Sequence, residues 1–485
     1  MTITVRIDDG EIPALVLAGA EPPPRAVVLS GRRARVEAHP TVDGVTWEAR
    51  LPLRAVRWGG PALPLPAGDY ELRVTDVDGV AVPIDAELPA VVTSTLCAGF
   101  AAGVLRVRAA IDPVYVSGEG QAALERRYAT RPEGLENAVF FESFYGRNAS
   151  CNPRAIDREL ARVAPGVTRY WSVVDLSVQV PDGAIAVVEG SPQWWRARGC
   201  ARLLVVNDWL RRRYERRRGQ VVLQTWHGTS LKRLALHRPG FDPRRMAAVV
   251  RESRRWDVLL AQNTYGERVL RKAYAFGRRP VWVEGYPRND VLVTGDGSAT
   301  RAALGIGAHE RVILYAPTWR DDRDTIVDFL DLERLAADTG AVVLVRGHSR
   351  TLLPGSDARG ERVIDVTAFP DAADLLVVAD AVVTDYSSVM FDYTTTGKPI
   401  LFFTPDLSHY RERLRGFYFD LAARAPGPLV TTQDALTVAL ASDDVPDEYA
   451  DRYAQWRRMF NARDDGHAAE RVVARILDQG FVDRG

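Results

Sequence analysis

Five short segments hold most of the side chains able to move a proton or grip a phosphate. The first is Gln224-Thr225-Trp226-His227-Gly228-Thr229, which closes the run QVVLQTW. Histidine is the side chain best suited to take a proton near neutral pH, so His227 fits a general base, and Gly228 lets the backbone bend sharply beside it. A lone histidine in a turn also serves plain structure, and the company His227 keeps decides for chemistry. Arg346 and His348 end the run VVLV; two residues apart, they share a side of an extended chain. A cation and an imidazole so placed can steady a diphosphate, whereas an ion pair is the plainer use of the arginine. Thr384-Asp385-Tyr386-Ser387-Ser388 follows the run AVV and precedes a helix start, with Asp392 one turn further on. The hydroxyls of Ser387 and Ser388 and the first free N–H groups form an anion site, although Ser and Asp are also ordinary caps. Asp392 suits a sugar hydroxyl or the orientation of a histidine. Arg288 in GYPRND and Arg320 in YAPTWRDD add cations after two more strands, each behind a proline that fixes the exit direction. Asp321 and Asp322 have no accompanying ligand set, so no metal is assigned.

Positioning these groups takes strands that end where they stand. From about residue 130 the apolar runs NAVFFES, TRYWSVV, AIAVVE, ARLLVVND, QVVLQTW, WDVLLAQ and PVWVEG alternate with amphipathic helical segments. After VTGDGSAT (293–300) a second series begins with RVILYAPT, AVVLVRGH, RVIDVT, AVVTDYS and PILFFT. Continuous Val/Leu/Ile runs between helices predict parallel sheets buried on both faces, with ligands beyond the carboxyl ends of the strands. The expected fold is α/β, with two Rossmann-like lobes at 93–295 (93–130 connecting) and 296–485 and a cleft between them. Residues 1–92 read as a small all-β domain, from short runs bounded by PPP, DG, GG and PAGD turns. It carries no catalytic constellation and suits packing, docking or polymer binding.

The 485 residues carry 63 Lys+Arg and 63 Asp+Glu, so no global field marks a nucleic-acid binder and any anionic partner needs a local basic patch. Two such patches exist: Arg211-Arg212-Arg213-Tyr214-Glu215-Arg216-Arg217-Arg218, and eight cations within Leu231–Arg255. They suit anionic lipid, anionic polymer or a solvated face. Cys97, Cys151 and Cys200 are widely spaced, which argues against a disulfide framework or zinc site and fits a reducing compartment. The N-terminus becomes charged before any apolar run develops, so no secretory signal is expected. Leu88–Leu105 has no charge, but Pro89, hydroxyls and glycines favour buried strands over a membrane span.

Taken in order, FFESFYGRNASCNPRAI (140–156), TWHGTSLKR (225–233), EGYPRNDVL (284–292), ILYAPTWRDD (313–322) and VTDYSSVMFDYTTTGKPILFF (383–403) resemble the CDP-glycerol glycerophosphotransferase family of teichoic-acid primases and polymerases. The resemblance spans about residues 135–435. It implies a GT-B arrangement with the acceptor in the first lobe and a CDP-alditol, glycerol or ribitol, in the second. His227 then matches the base that deprotonates the acceptor hydroxyl, with CMP leaving. Arg346 and His348 match the element that steadies the diphosphate, and Thr384, Asp385, Ser387, Ser388 and Asp392 match donor contacts. Arg288 and Arg320 become phosphate contacts. The acceptor would be a polyol-phosphate polymer or lipid-linked primer, met at the inner face of a cell membrane by a cytoplasmic, peripherally bound protein with no further cofactor. HGTS where relatives have HGTP, AQN after WDVLL, and Ser349 after His348 depart from the family pattern. A nucleotide-sugar glycosyltransferase and a polymer-binding scaffold are the competing expectations.

Overall fold

The computed structural model describes residues 3–20, 22–130, 133–318, 330–347, 359–410, 416–442 and 444–484. His348 and Arg320, with Asp321 and Asp322, lie outside them. The chain forms two compact units, one of Met1–Gly134, Tyr145–Asn148 and Tyr170–Cys200, the other of Leu135–Phe144, Ala149–Arg169 and Ala201–Gly485.

The first unit is led by antiparallel strands. Ile3–Asp8, Ala14–Ala20, Thr46–Pro52 and Thr41–Asp43 form one sheet in that order. Leu88–Val92, Leu96–Ala101, Val104–Ala109, Gly68–Thr75, Ala26–Gly31 and Arg35–Ala38 line up in the second. Along Thr46–Pro52 every second residue is buried, the alternation that a sheet with one wet face imposes. Trp47, Leu17, Leu29, Tyr70, Phe100 and Leu105 meet in one shared core. Gly31 is required there, because an added Cβ would stand 2.6 Å from the Tyr70 ring. The charge-free stretch Leu88–Leu105 is thus strands joined by tight turns, and the sheets continue through Ala109. Among the described residues no helix is long and apolar enough to cross a membrane. The backbone N–H of Ala67 donates to Asp175 at 2.9 Å, fastening the strands to the unit's later segment.

The second unit is α/β. Glu136–Glu142 (β1), Ala201–Val206 (β2), Val221–Gln224 (β3), Val258–Ala261 (β4) and Val281–Val283 (β5) run parallel, each beside the next. Val312–Ala316 (β6), Val342–Val345 (β7), Val363–Asp365 (β8), Ala381–Thr384 (β9), Ile400–Phe403 (β10) and Leu429–Val430 (β11) form another parallel series in the order β8-β7-β6-β9-β10-β11. Their near-continuous burial is what helices on both faces demand. The chain order reverses between β6 and β9, and the turns after these two strands stand at the switch point where open parallel sheets take their ligands.

Candidate active site

The turn after β3 is built by its own polar side chains. Gln224 donates to the carbonyl of Asp208 at 2.9 Å and accepts the N–H of Trp226 at 2.9 Å. Asn152, at the start of the helix Cys151–Val163, donates to the carbonyls of Thr225 and Trp226, both at 3.2 Å. The result is a half-buried His227 whose ring stacks on Trp226, with centroids 4.7 Å apart. Its Nδ1 lies 2.6 Å from the carbonyl oxygen of Asn207, the residue after β2. A carbonyl can only accept, so Nδ1 carries the proton and Nε2 is left as the basic nitrogen.

Arg288, from the turn after β5, crosses to the second strand series. It donates to Asp392 at 2.6 Å, to the carbonyl of His227 at 2.9 Å and to the sulfur of Cys151 at 3.1 Å. Asn289 supplies a second bond to Asp392 at 3.1 Å. Burial opposes the charge on Arg288, yet Asp392, with Cys151 and Tyr286 behind it, holds the guanidinium above its ordinary value. Burial pushes the Asp392 carboxyl up, with Arg288 and Asn289 pulling the other way. Both oxygens of Asp392 are thus engaged by protein, and the carboxylate anchors the arginine that grips the histidine turn.

Gly228 is required for close approach. A Cβ there would stand 2.7 Å from Ser388 Oγ and 2.9 Å from Ser388 Cβ. The half-buried Ser388 therefore sits directly against the His227 turn, with Ser387 next to it in the chain. Gly228→Ala is expected to lose about 1–3 kcal/mol through overpacking. Adding Ser388→Gly should return most of that loss, a non-additivity that thermal melting of the single and double variants measures.

The structure divides the remaining sequence candidates. Thr384 donates to the carbonyl of Ala316 at 2.7 Å, and Asp385 accepts the N–H of Thr318 at 2.9 Å and that of Tyr386. Both are buried and join the turn after β6 to the turn after β9. Asp385→Ala would leave buried amides unpaired and should cost about 2–4 kcal/mol, read as a fall in melting temperature. Arg346 directs Nη1 to the carbonyls of Val366 and Phe369, at 3.1 and 2.9 Å, so this nitrogen braces the loop after β8. Burial lowers its guanidinium from the ordinary value, against the pull of Asp371 and Asp365. The helix expected to offer its N-terminus after the serines runs only over Val389–Tyr393, and Ser387 Oγ accepts the N–H of Val389 at 3.4 Å. No group of three His, Cys, Asp or Glu able to hold a metal exists among the described residues.

Three positioning residues escaped the sequence reading. Asn207 directs His227, and Asn152 also accepts the N–H of Arg288 at 3.2 Å. Gln262, from the atypical AQN ending, accepts from Thr229 at 2.6 Å and donates to Asp464 at 2.7 Å. Asn207 and Gln262 directly follow strand ends, the signal that could have singled them out.

The model of the family described as CDP-Glycerol:Poly(glycerophosphate) glycerophosphotransferase matches residues 126–478. The teichoic acid poly(glycerol phosphate) polymerase of Bacillus subtilis is 35% identical over 72% of this chain, which spans about half (50%) of that relative's length. The teichoic acid glycerol-phosphate transferase of Staphylococcus aureus is 34% identical over 70% of this chain and 93% of its own. A solved structure of the wall teichoic acid polymerase TagF, a histidine-to-asparagine variant soaked with CDPG, superposes with a TM-score of 0.66 at 30% identity, covering 75% of this chain and 98% of that one. The α/β fold thus stands in a known setting: this chain belongs to the CDP-glycerol:poly(glycerophosphate) glycerophosphotransferase family.

Proposed function

We propose that this chain transfers glycerol phosphate from CDP-glycerol to the terminal hydroxyl of a teichoic-acid- or capsule-type acceptor, releasing CMP. The observation that carries the reading is the 2.6 Å contact between His227 Nδ1 and the Asn207 carbonyl, which leaves Nε2 as the base. The acceptor oxygen attacks the phosphorus that bears glycerol while its proton passes to Nε2. The bond from that phosphorus to the bridging oxygen breaks, and CMP leaves with the electron pair. Ser388, set against the same turn, and the adjacent Ser387 would hydrogen-bond the donor phosphates. Arg288 and Asp392 act as positioning residues through the His227 backbone, and Arg288 keeps the charge to meet a phosphate. Arg346 braces the donor side, where His348 and Arg320 would complete the phosphate contacts.

In this reading the two strand series of the second unit are GT-B lobes facing across a crevice, with the acceptor on the β1–β5 side and the CDP-alditol on the β6–β11 side. The similarity to a poly(glycerol phosphate) polymerase and a glycerol-phosphate transferase favours glycerol as the alditol. The protein would meet a lipid-linked acceptor peripherally at the inner face of a membrane. The test is incubation with CDP-glycerol, or CDP-ribitol, and a glycerophosphate-primed acceptor. CMP release with CDP-glycerol above a His227→Ala control supports the reading, and no release from either donor overturns it.

A further inference from the structure

The two arginine-rich runs meet on one face of the second unit, where they frame a pair of adjoining concavities of about 660 and 750 Å³ that share Arg216, Val250 and Arg254. Arg251 and Arg255 line the first, Arg278 and Arg279 the second. The buried carboxylate of Glu252, on the helix Pro243–Ser253, joins the walls: it accepts the N–H of Leu210 at 2.7 Å, the indole N–H of Trp256 at 3.1 Å and Arg255 at 2.9 Å. Glu252 therefore ties the helix to the segment that carries Leu210.

Its charge is lopsided. Arg216 pairs with Asp257 at 2.8 Å and Arg255 with Glu252, but Arg251, Arg254 and Arg278 are exposed and have no carboxylate partner among the described residues. Burial pushes the Arg279 guanidinium down, and Arg216 and Arg254 beside it add to that effect. In a chain with equal numbers of acidic and basic residues, such a local excess makes this face attractive to an external anion.

The shape indicates which anion. A bilayer is met by protruding apolar side chains, yet Val250 is half-buried and Phe276 is 1% exposed. The exposed Phe241 precedes the helix and is not part of the lining. A concave surface alternating carbon with guanidinium suits a flexible chain that alternates polyol with phosphate. Position agrees: Phe276 packs against Trp256, Trp256 against Trp226, and Trp226 stacks on His227.

We propose that this groove binds the phosphodiester backbone of the growing acceptor polymer, outside the centre built around His227. The proposal rests on the phosphotransferase reading for the identity of the chain, while binding itself can be read without turnover. The experiment compares the full-length wild type with an Arg251→Glu, Arg254→Glu, Arg278→Glu variant, all three sites being exposed. Binding of fluorescent short and long poly(glycerol phosphate) is measured across a salt series, with phosphatidylglycerol vesicles as a separate arm. CMP release is then followed with short and long primed acceptors. The variant should bind long chains about 10- to 100-fold more weakly, with a shallower salt dependence. KM for the long acceptor should rise to match, with kcat, the short acceptor and the CDP-glycerol KM unchanged. Unaltered long-chain affinity overturns the groove, as does equal damage to short and long acceptors. Loss of vesicle binding with long-chain affinity intact overturns it too, by assigning the patch to lipid. If wild type binds long chains through these arginines but releases no CMP, the phosphotransferase reading fails and the groove stands.

Discussion

Replacing His227 with alanine should lower the rate of CMP release by about 10²–10⁴-fold, the range a positioned general base supplies. The loss should fall on kcat, because the acceptor hydroxyl can still bind while its proton has nowhere to go. His227→Asn separates base from scaffold. An asparagine amide can still donate to the Asn207 carbonyl and so retain the contact His227 makes at 2.6 Å, but it cannot accept a proton at the Nε2 position. The asparagine variant should therefore melt close to wild type and be as inactive as the alanine variant. An active His227→Asn enzyme would reduce the histidine to structure.

Arg288→Ala is expected to destabilise the protein by about 3–5 kcal/mol, because it leaves the buried Asp392 carboxylate without its cation. The ion pair is short and shielded, with side chains 11% and 7% exposed, so solvent cannot stand in for the missing partner. Asp392→Ala should cost a similar amount. Arg288→Met combined with Asp392→Leu should cost less than either truncation, since two apolar groups leave no orphaned charge. Arg288→Lys should not rescue, because an ammonium cannot spread donors to Asp392, the His227 carbonyl and Cys151 with the arginine's fork. A double-mutant cycle on melting temperature, run beside CMP release, tests the set. Activity lost in the double variant despite recovered stability would show the arginine serving the site as well as the fold.

The parts of this architecture that repeat were visible in the residues. Apolar strand runs followed by polar turns gave the α/β class, and the rule that ligands gather beyond strand ends pointed to His227, Arg288 and Ser387-Ser388. The residues that orient them were harder to see. Asn207 and Asn152 carry no charge, and their value lies in which carbonyl or ring nitrogen they meet, a long-range fact no spacing encodes. Asp392 looked like a ligand because a carboxylate beside two serines suits a sugar hydroxyl, but its salt bridge reaches 104 residues back to Arg288. Arg346 shows the same ambiguity: a strand-end arginine can brace carbonyls as readily as bind phosphate, and Val366 and Phe369 are the carbonyls. The all-β sheets passed the expected boundary at 92 because the apolar residues between Leu88 and Leu105 pair in hydrogen-bonded strands, with Thr93, Ser94, Thr95 and Gly103 serving as the turns between them.

The contacts that hold the histidine turn have a kinetic consequence. Arg288 meets Asp392 across 104 residues, Gln262 meets Asp464 across 202, and the Cys151 amide meets Asp371 across 220. Each closes a long loop, and the entropy of closure must be met before any of these bonds contributes. During refolding the local strands and helices should form well before this set locks. Far-ultraviolet dichroism should then recover ahead of CMP release, and a chain halted between those events would be compact yet idle.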